Sequence, residues 1–266
     1  MDYTKAMVKN KNQTNTMVDI ILTVLEYKTD GLQALKRKGF CSNHLADLEV
    51  GDDVSLYLKE SSFHLPPNLL NQTTRPILMI GAGSGIAPFR GFWQQVLIDS
   101  IDDHKKEDII QRLEDLDLCN KPHEVTLDQL SGQPIKTSIT MFFGCRDKKC
   151  NLLEYETSIY SSMFKRFNAF SRETVCPKQY VSDIMKKEHQ LIYEALVEQN
   201  GIIYVCGKIA MANTVFKTLV SIIAEQLLEQ QVVQHSESAN VTADDFINSL
   251  IDDGRYHQDI FGTDDV

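Results

Sequence analysis

The sequence predicts an α/β protein in which a parallel sheet, covered by helices on both faces, follows a smaller section that is mainly β. Two observations predict this fold class. From Arg75 onward, short apolar runs alternate with segments of helical periodicity, which is typical of a parallel sheet. Before Arg75, runs of β-branched residues are separated by turn residues, and they supply only two or three strands.

The first section contains few regular elements. Residues 1–16 are polar, and we expect them to be poorly ordered. The apolar, β-branched run 18–27 predicts a strand, and 54–58 alternates like a second one. Between them, 39–45 predicts a tight turn into a short helix, with Ser42 as its N-cap.

The second section supplies the alternating pattern. Apolar runs predict four strands, at 76–80, 137–143, 168–170 and 202–206. Helical periodicity predicts helices at 88–97, from about Leu152, and at 180–199, 210–229 and 242–251. The acidic segment 99–136 is interpreted as a surface insertion, and 255–261 as a short terminal extension.

The composition excludes several classes of protein. The chain has 266 residues, of which 42% are hydrophobic and 24% charged, so it is long enough for one large or two small globular domains. Its net charge of −10 argues against nucleic acid as a partner. The absence of an 18-residue apolar run predicts that no segment spans a membrane. Six widely spaced cysteines without a secretory signal predict free thiols in the cytoplasm.

A glycine-rich turn follows the first strand of the second section. In Gly81-Ala82-Gly83-Ser84-Gly85, the glycines allow close approach to the backbone, and the following helix turns its free N–H groups toward the turn. This arrangement favours a phosphate ligand, although a purely structural turn is the alternative. The spacing fits neither a serine-hydrolase elbow nor a Walker loop.

A basic cluster follows the third predicted strand. Arg172 and Lys178 lie close in sequence to Ser171 and Tyr180, and Arg146 follows the neighbouring strand. Cations and a hydroxyl group suit a dianionic phosphate, and a tyrosine ring can stack on adenine. The alternative is a solvated basic loop. Together with the glycine-rich turn, the cluster predicts NADPH rather than NADH as the ligand, bound at the carboxyl edge of the sheet.

The cysteines and histidines predict no metal site. Cys145 and Cys150 are four residues apart without a second ligand pair, and the histidines form no ligand-spaced pair. Cys206 ends an apolar strand, where it is either a buried structural residue or a thiol facing a nicotinamide.

Several motifs together resemble the diflavin reductases, which include cytochrome P450 reductase, sulfite reductase flavoprotein and nitric oxide synthase. They are Gly81-Ala-Gly-Ser-Gly-Ile-Ala-Pro-Phe-Arg-Gly-Phe-Trp-Gln-Gln95, Phe143-Gly-Cys-Arg146, Tyr204-Val-Cys-Gly207 and Arg255-Tyr-His-Gln-Asp-Ile-Phe-Gly262. The first and last motifs look most like the nitric oxide synthases, and the resemblance covers about 17–262 apart from the insertion. It implies a partial FAD-binding β-barrel at 17–70 and an NADP-binding α/β domain at 75–262.

The resemblance also implies roles for individual residues. FAD would bind the turn Gly39, Phe40, Cys41 and Ser42, with Tyr27 as a further contact. NADPH would bind the glycine-rich turn, where Ser84 matches a threonine of the family, and the residues that match those holding its adenosine 2′-phosphate and adenine: Arg146, Ser171, Arg172, Lys178 and Tyr180. Ser182 and Thr214 occupy two further cofactor-binding positions. Cys206 and Asp259 would lie beside the nicotinamide, and Phe261 would cover the flavin ring. Hydride would pass from NADPH to FAD, and electrons would pass on to FMN and haem in domains of the same or a partner chain.

The chain departs from the family pattern at several places. Thr214 stands where the family has an aspartate, and Ser182 stands where it has a glutamine. The flavin motif Arg-x-Tyr-Ser is not found upstream of Val18, which a truncated product or a partial gene sequence would explain. The usual Cys-Gly-Asp is Cys206-Gly207-Lys208. Three hypotheses stay open: a nitric oxide synthase-like reductase fragment, a P450-type haemoprotein reductase subunit, and an NADP-binding module without activity of its own.

Overall fold

The computed structural model describes residues 2–9, 15–29, 35–57, 59–66, 75–100, 107, 137–159, 163–175, 177–230 and 235–262. Contacts within the chain divide it into two compact units, Met1–Ser62 and Phe63–Val266. The acidic insertion predicted at 99–136 lies outside the described residues except at Asp99, Ser100 and Glu107.

The first unit contains two small antiparallel sheets. Strand β1 (Asp2–Lys9) pairs with β2 (Asn15–Leu22), and β3 (Glu26–Lys28) pairs with β4 (Lys36–Lys38). The strand predicted at 18–27 is therefore interrupted after Leu22. Pairing with β2 gives the backbone of β1 its hydrogen-bond partners.

Two local predictions in this unit are wrong. Helix α1 (Phe40–Ala46) has Gly39 as its N-cap, and Ser42 lies inside the helix, where its hydroxyl accepts a hydrogen bond from the backbone of Leu25 instead. Residues 54–57 form no strand. Alternation alone is not sufficient for a strand, because a neighbouring strand has to supply the hydrogen bonds. Leu58, the last residue of that prediction, lies outside the described residues.

The second unit is built on a five-stranded parallel sheet, which confirms the predicted fold class. Its strands are β5 (Ile77–Ala82), β6 (Ile139–Cys145), β7 (Phe164–Phe170), β8 (Ile202–Lys208) and β9 (Tyr256–Phe261), in the spatial order β7-β6-β5-β8-β9. β7 begins four residues earlier than predicted. The prediction of a short terminal extension at 255–261 is wrong, because Tyr256–Phe261 form the edge strand β9, which pairs with β8.

Helices connect these strands. A 3-10 turn (Gly83–Ile86) leads into α2 (Ala87–Ser100), and α3 (Glu154–Ile159) precedes β7. The single helix predicted at 180–199 consists of α4 (Val181–Lys187), α5 (His189–Tyr193) and a π-helical turn (Glu194–Glu198). The long helix α6 (Ile209–Glu229) follows β8, and α7 is Ser236–Asp252. Helix α7 starts before the predicted position 242, because Ala239 and Ala243 extend its buried stripe.

The sheet is buried on both faces. Leu78, Ile80, Ile203 and Val205 pack with buried residues of α6 and α7 in one core cluster. On the other face, the ring of Tyr204 lies 5.0 Å from that of Phe92 in α2. Because all five strands are parallel and both faces are covered, their carboxyl ends form one accessible edge. Within the described part of the chain, no helix is long and apolar enough to cross a membrane.

Candidate functional site

The glycine-rich turn lies at the carboxyl end of the central strand β5. Gly83 has φ +59°, a conformation that favours glycine. A Cβ at Gly85 would lie 2.2 Å from the carbonyl oxygen of Cys206, so only glycine allows this contact with the end of β8. The half-buried Ser84 lies between these two glycines, and its carbonyl accepts a hydrogen bond from the N–H of Ala87. The predicted sequence of strand, glycine-rich turn and helix is thus present, with the start of α2 at this edge.

A buried carboxylate fixes α2. Glu156 of α3 accepts hydrogen bonds from Arg90 Nε at 2.7 Å, Trp93 Nε1 at 2.9 Å and Gln94 Nε2 at 3.1 Å. The Phe-Trp-Gln-Gln ending of the first sequence motif therefore has a structural role in this chain. Sequence reasoning missed Glu156, because no local pattern marks a partner that lies more than sixty residues away.

The basic residues predicted from the sequence converge at the ends of β6 and β7. The backbone N–H of Ser171 donates to the carbonyl of Cys145 at 3.0 Å, and that of Arg172 donates to the carbonyl of Arg146 at 2.7 Å. The strand pairing thus continues beyond both strands and places the two exposed arginines side by side. The Ser171 hydroxyl also donates to the carbonyl of Cys145, at 3.3 Å.

The loop after β7 returns to the same place. The N–H of Gln179 donates to the carbonyl of Phe170 at 2.9 Å, which brings its neighbours Lys178 and Tyr180 back to the end of the strand. Lys178 Nζ lies 4.8 Å from the centre of the Tyr180 ring, which is 52% exposed. Ser182 follows in the first turn of α4. The structure therefore gathers six predicted residues around one exposed loop: Arg146, Ser171, Arg172, Lys178, Tyr180 and Ser182.

Arg166, which lies within β7, has a different environment from Arg146 and Arg172. It is half-buried, donates to Asn151 Oδ1 at 2.7 Å and to the carbonyl of Leu152 at 2.9 Å, and lies 4.9 Å from the ring of Phe143. Burial lowers the pKa of Arg166 to about 10. Its donors are used within the fold, so the exposed arginines are the ones available to a ligand.

Cys206 and Asp259 are register partners on the adjacent strands β8 and β9, and Lys208 and Phe261 form the next pair but one. Side chains at alternate positions of a strand share a face, so these four residues lie on one face of the sheet at its carboxyl edge. Cys206 is buried, whereas Asp259, Lys208 and Phe261 are exposed. Burial, assisted by the charge of Asp259, raises the pKa of the Cys206 thiol to about 12. The thiol is therefore protonated at neutral pH, which makes it a weak hydrogen-bond donor rather than a nucleophile.

On the same face, two residues earlier along each strand, the ring of His257 stacks on that of Tyr204 with ring centres 4.7 Å apart. The Tyr204 hydroxyl donates to the carbonyl of His64 at 3.0 Å. His257 Nε2 is buried and has no hydrogen-bond partner among the described residues. Burial, with a smaller contribution from the charge of His64, lowers the pKa of His257.

Thr214 lies apart from the loop cluster. It is an exposed residue of the second turn of α6, the helix that follows β8, and its hydroxyl donates to the carbonyl of Ala210 at 2.8 Å. This bond lies within the helix, and the Thr214 oxygen retains the capacity to accept another.

The turn predicted from the first unit's sequence is held by the backbone of Leu25. The carbonyl of Leu25 accepts from the N–H of Gly39 at 2.7 Å, while its N–H donates to Ser42 Oγ at 3.0 Å. A Cβ at Gly39 would lie 2.9 Å from the Cβ of Leu25, so glycine allows the close approach. Phe40 is 92% exposed and Cys41 is exposed at the start of α1, and Tyr27 is 42% exposed on β3.

Four cysteines in the described part of the chain, Cys41, Cys145, Cys150 and Cys206, are free thiols. Over the same residues, no group of three or more histidine, cysteine or carboxylate side chains is placed to hold a metal ion. Cys119 and Cys176 lie outside the described residues.

The parallel sheet, with its glycine-rich turn at the carboxyl edge, has the form of a nucleotide-binding domain. Residues 79–217 match the model of the family described as the oxidoreductase NAD-binding domain, and the chain belongs to that family.

Among known proteins, the chain is similar to nitric oxide synthases. It is 33% identical to the nitric oxide synthase of Drosophila melanogaster over 251 residues, which cover 92% of this chain and 15% of that protein. It is 32% identical to the nitric oxide synthase of Anopheles stephensi, covering 92% of this chain and 17% of the relative. It is 33% identical to nitric oxide synthase 3 of Sus scrofa, covering 91% and 17%. The chain thus spans less than a fifth of the length of these curated relatives.

Proposed function

We propose that this chain is an NADPH-dependent flavoprotein oxidoreductase portion similar to that of the nitric oxide synthases, and that it transfers hydride from NADPH to FAD. The observation that carries the proposal is the register of Cys206 with Asp259 at the sheet edge that also holds the glycine-rich turn and the paired arginines. In open α/β sheets, ligands bind at this edge.

The adenosine end of NADPH would bind the basic loop. Arg146, Arg172 and Lys178 are exposed cations, and guanidinium groups match the geometry of a phosphate oxygen pair. Tyr180 offers a ring face to adenine. Ser171 and Ser182 would supply hydroxyl groups around these cations, and Thr214 would be a separate hydroxyl contact from α6. This donor set fits a 2′-phosphate, which supports NADPH over NADH.

The pyrophosphate would lie against the turn Gly81–Gly85. Gly83 and Ser84 are half-buried and would bring their backbone to a phosphate, whereas the buried Gly81 and Gly85 let the turn pack against Phe89 and the end of β8. The start of α2 directs the positive end of its dipole toward this edge. The half-buried Ser84 would donate its hydroxyl hydrogen to a phosphate oxygen.

The nicotinamide would lie at the β8 and β9 ends, beside Cys206, Asp259 and Phe261. When bound, NADPH would supply a hydride at this place and FAD would be the group that takes it up. The protonated Cys206 thiol and the Asp259 carboxylate would orient the nicotinamide, and Phe261 would offer its exposed aromatic ring at the same edge.

The flavin would bind residues of the first unit. The turn Gly39–Ser42 has exposed residues at the start of α1, and Ser42 still has its hydroxyl hydrogen to donate, because its oxygen acts as the acceptor for Leu25. The exposed ring of Tyr27 would provide a further contact. On this proposal, 17–70 is part of a flavin domain and 75–262 is the NADP domain. Electrons would continue to FMN and haem on the same or a partner chain.

The test is an absorbance spectrum of the purified chain with added FAD, followed by anaerobic titration with NADPH. We expect retained flavin that loses its absorbance near the visible maximum on NADPH addition. Binding of 2′,5′-ADP measured in parallel reports the NADP site alone. Binding of 2′,5′-ADP without flavin retention would contradict the hydride-transfer proposal and indicate an NADP-binding module. Failure to bind either ligand would overturn the whole assignment.

A further inference from the structure

We propose that Lys208 makes the site discriminate between the two redox states of its dinucleotide, by disfavouring NADP+ relative to NADPH. This inference rests on the proposed function, because it requires the nicotinamide to lie beside Cys206 and Asp259. It assigns a specificity role to a residue that the hydride-transfer scheme itself does not use.

The position of Lys208 supports the proposal. It is the last residue of β8, it is exposed, and its register partner is Phe261 of β9. It follows Cys206 by two residues, so the two positions share a face of the sheet. Lys208 therefore lies on the nicotinamide side of the edge, immediately beyond the pair formed by Cys206 and Asp259.

The charge of Lys208 is not cancelled by a close ion pair. Over the described residues, no carboxylate lies within 4 Å of its ammonium group, although Asp259 lies diagonally across the two strands. Lys208 is also the N-cap of α6, without a side-chain capping bond. The partial positive charge at this end of a 21-residue helix adds to that of the ammonium group.

A cation is an unfavourable choice for helix stability at this position. Serine, threonine, aspartate and asparagine stabilise a helix as N-cap residues, because they accept a hydrogen bond from the backbone and their dipole or charge suits the helix end. Lys208 accepts no such hydrogen bond, and its positive charge does not suit the positive end of the helix. A role in ligand selection gives a physical reason for a cation there that stability does not.

The chemistry of the two redox states supplies the selectivity. The nicotinamide ring of NADP+ carries a full positive charge, whereas the dihydropyridine ring of NADPH is neutral, and the phosphates of the two molecules are the same. The field of Lys208 therefore acts differently on the ring alone. Repulsion between two unit charges in a largely aqueous environment at close range corresponds to a roughly three- to tenfold change in affinity. Weaker binding of NADP+ would speed its release after hydride transfer.

The experiment measures the dissociation constants of NADP+, NADPH and 2′,5′-ADP by anaerobic calorimetry on the chain without added flavin. The variants are Lys208→Gln and Lys208→Glu, and the control is Lys217→Gln, which removes an exposed lysine further along α6. We expect the ratio of the NADP+ constant to the NADPH constant to fall about threefold in Lys208→Gln and further in Lys208→Glu. The control should keep the wild-type ratio.

The ligand 2′,5′-ADP separates the two proposals, because it lacks the nicotinamide. Intact 2′,5′-ADP binding with an unchanged NADP+ to NADPH ratio in both variants would overturn the role of Lys208 and leave the proposed function standing. A wild-type chain that binds neither 2′,5′-ADP nor NADPH would overturn both. Should Lys208→Glu unfold, as judged by circular dichroism, the uncharged Lys208→Gln variant decides the result.

Discussion

The carboxylate of Glu156 accepts a hydrogen bond of 2.7 Å from the guanidinium Nε of Arg90, and the two side chains are only 1% and 13% exposed. This pair joins α3 to α2 close to the start of α2. Trp93 and Gln94 donate to the other carboxylate oxygen, so both oxygens of the buried charge have partners. The orientation of α2, and with it that of the preceding glycine-rich turn, therefore depends on the side chain of Glu156, which lies between β6 and β7.

We expect Glu156→Ala to lower the free energy of unfolding by about 3–5 kcal/mol, because it removes a buried carboxylate that accepts hydrogen bonds from Arg90, Trp93 and Gln94. Urea denaturation followed by circular dichroism measures the change. The control is Glu198→Ala, at an exposed position of the π-helical turn, where we expect a change within about 0.5 kcal/mol. Equal effects of the two substitutions would contradict the structural role of Glu156.

The sequence predicts those parts of the fold that depend on local patterns. The apolar runs at 76–80 and 202–206 mark the central strands, because a strand buried on both faces has to be apolar along its whole length. Arg146 and Arg172 are predicted to meet because parallel strands bring their carboxyl ends to one edge. The backbone hydrogen bond between these two residues matches that expectation.

The sequence does not reveal features that depend on distant partners. The segment 255–261 is mostly polar and becomes a strand only because β8 offers its edge. Residues 54–57 alternate but have no strand paired with them among the described residues. The register of Cys206 with Asp259 is a tertiary relationship that no periodicity encodes, and the contact of Glu156 with Arg90 is of the same kind.

Arg172→Ala tests the assignment of the 2′-phosphate. Removing a charge-assisted hydrogen bond should weaken NADP+ binding by about 10- to 100-fold and leave NAD+ binding nearly unchanged, because NAD+ lacks that phosphate. The preference for NADP+ over NAD+, measured by calorimetry, should therefore collapse. Lys187→Ala, at an exposed position of α4, serves as the control for a general loss of positive charge. Unchanged discrimination in Arg172→Ala would remove this residue from the site.

Gly85→Ala tests the close contact between the glycine-rich turn and β8. The added Cβ would lie 2.2 Å from the carbonyl oxygen of Cys206, and a backbone atom cannot move aside as a flexible side chain can. We expect a loss of about 1–3 kcal/mol, together with weaker NADPH binding because the turn shifts.

The matched control is Gly91→Ala, in the exposed interior of α2. A Cβ at Gly91 meets no atom within 4 Å, so alanine should stabilise the helix by about 0.5–1 kcal/mol. In thermal melts, we expect a lower melting temperature for Gly85→Ala and a higher one for Gly91→Ala than for the wild type. A Gly85→Ala variant as stable as Gly91→Ala would show that the contact at β8 is not required.

His257 predicts how stability responds to acid. Its pKa is lowered in the folded state, mainly by burial, so the unfolded chain binds the proton more readily. The contribution of His257 to the free energy of unfolding is therefore constant above the ordinary histidine pKa of 6.5, and the free energy of unfolding falls as the pH drops below that value.

His257→Phe keeps a ring against Tyr204 but removes the titrating nitrogen, so the stability of this variant should fall less between pH 7 and pH 5. Urea denaturation across this range measures both slopes, and parallel slopes for His257→Phe and the wild type would contradict the effect of burial on His257.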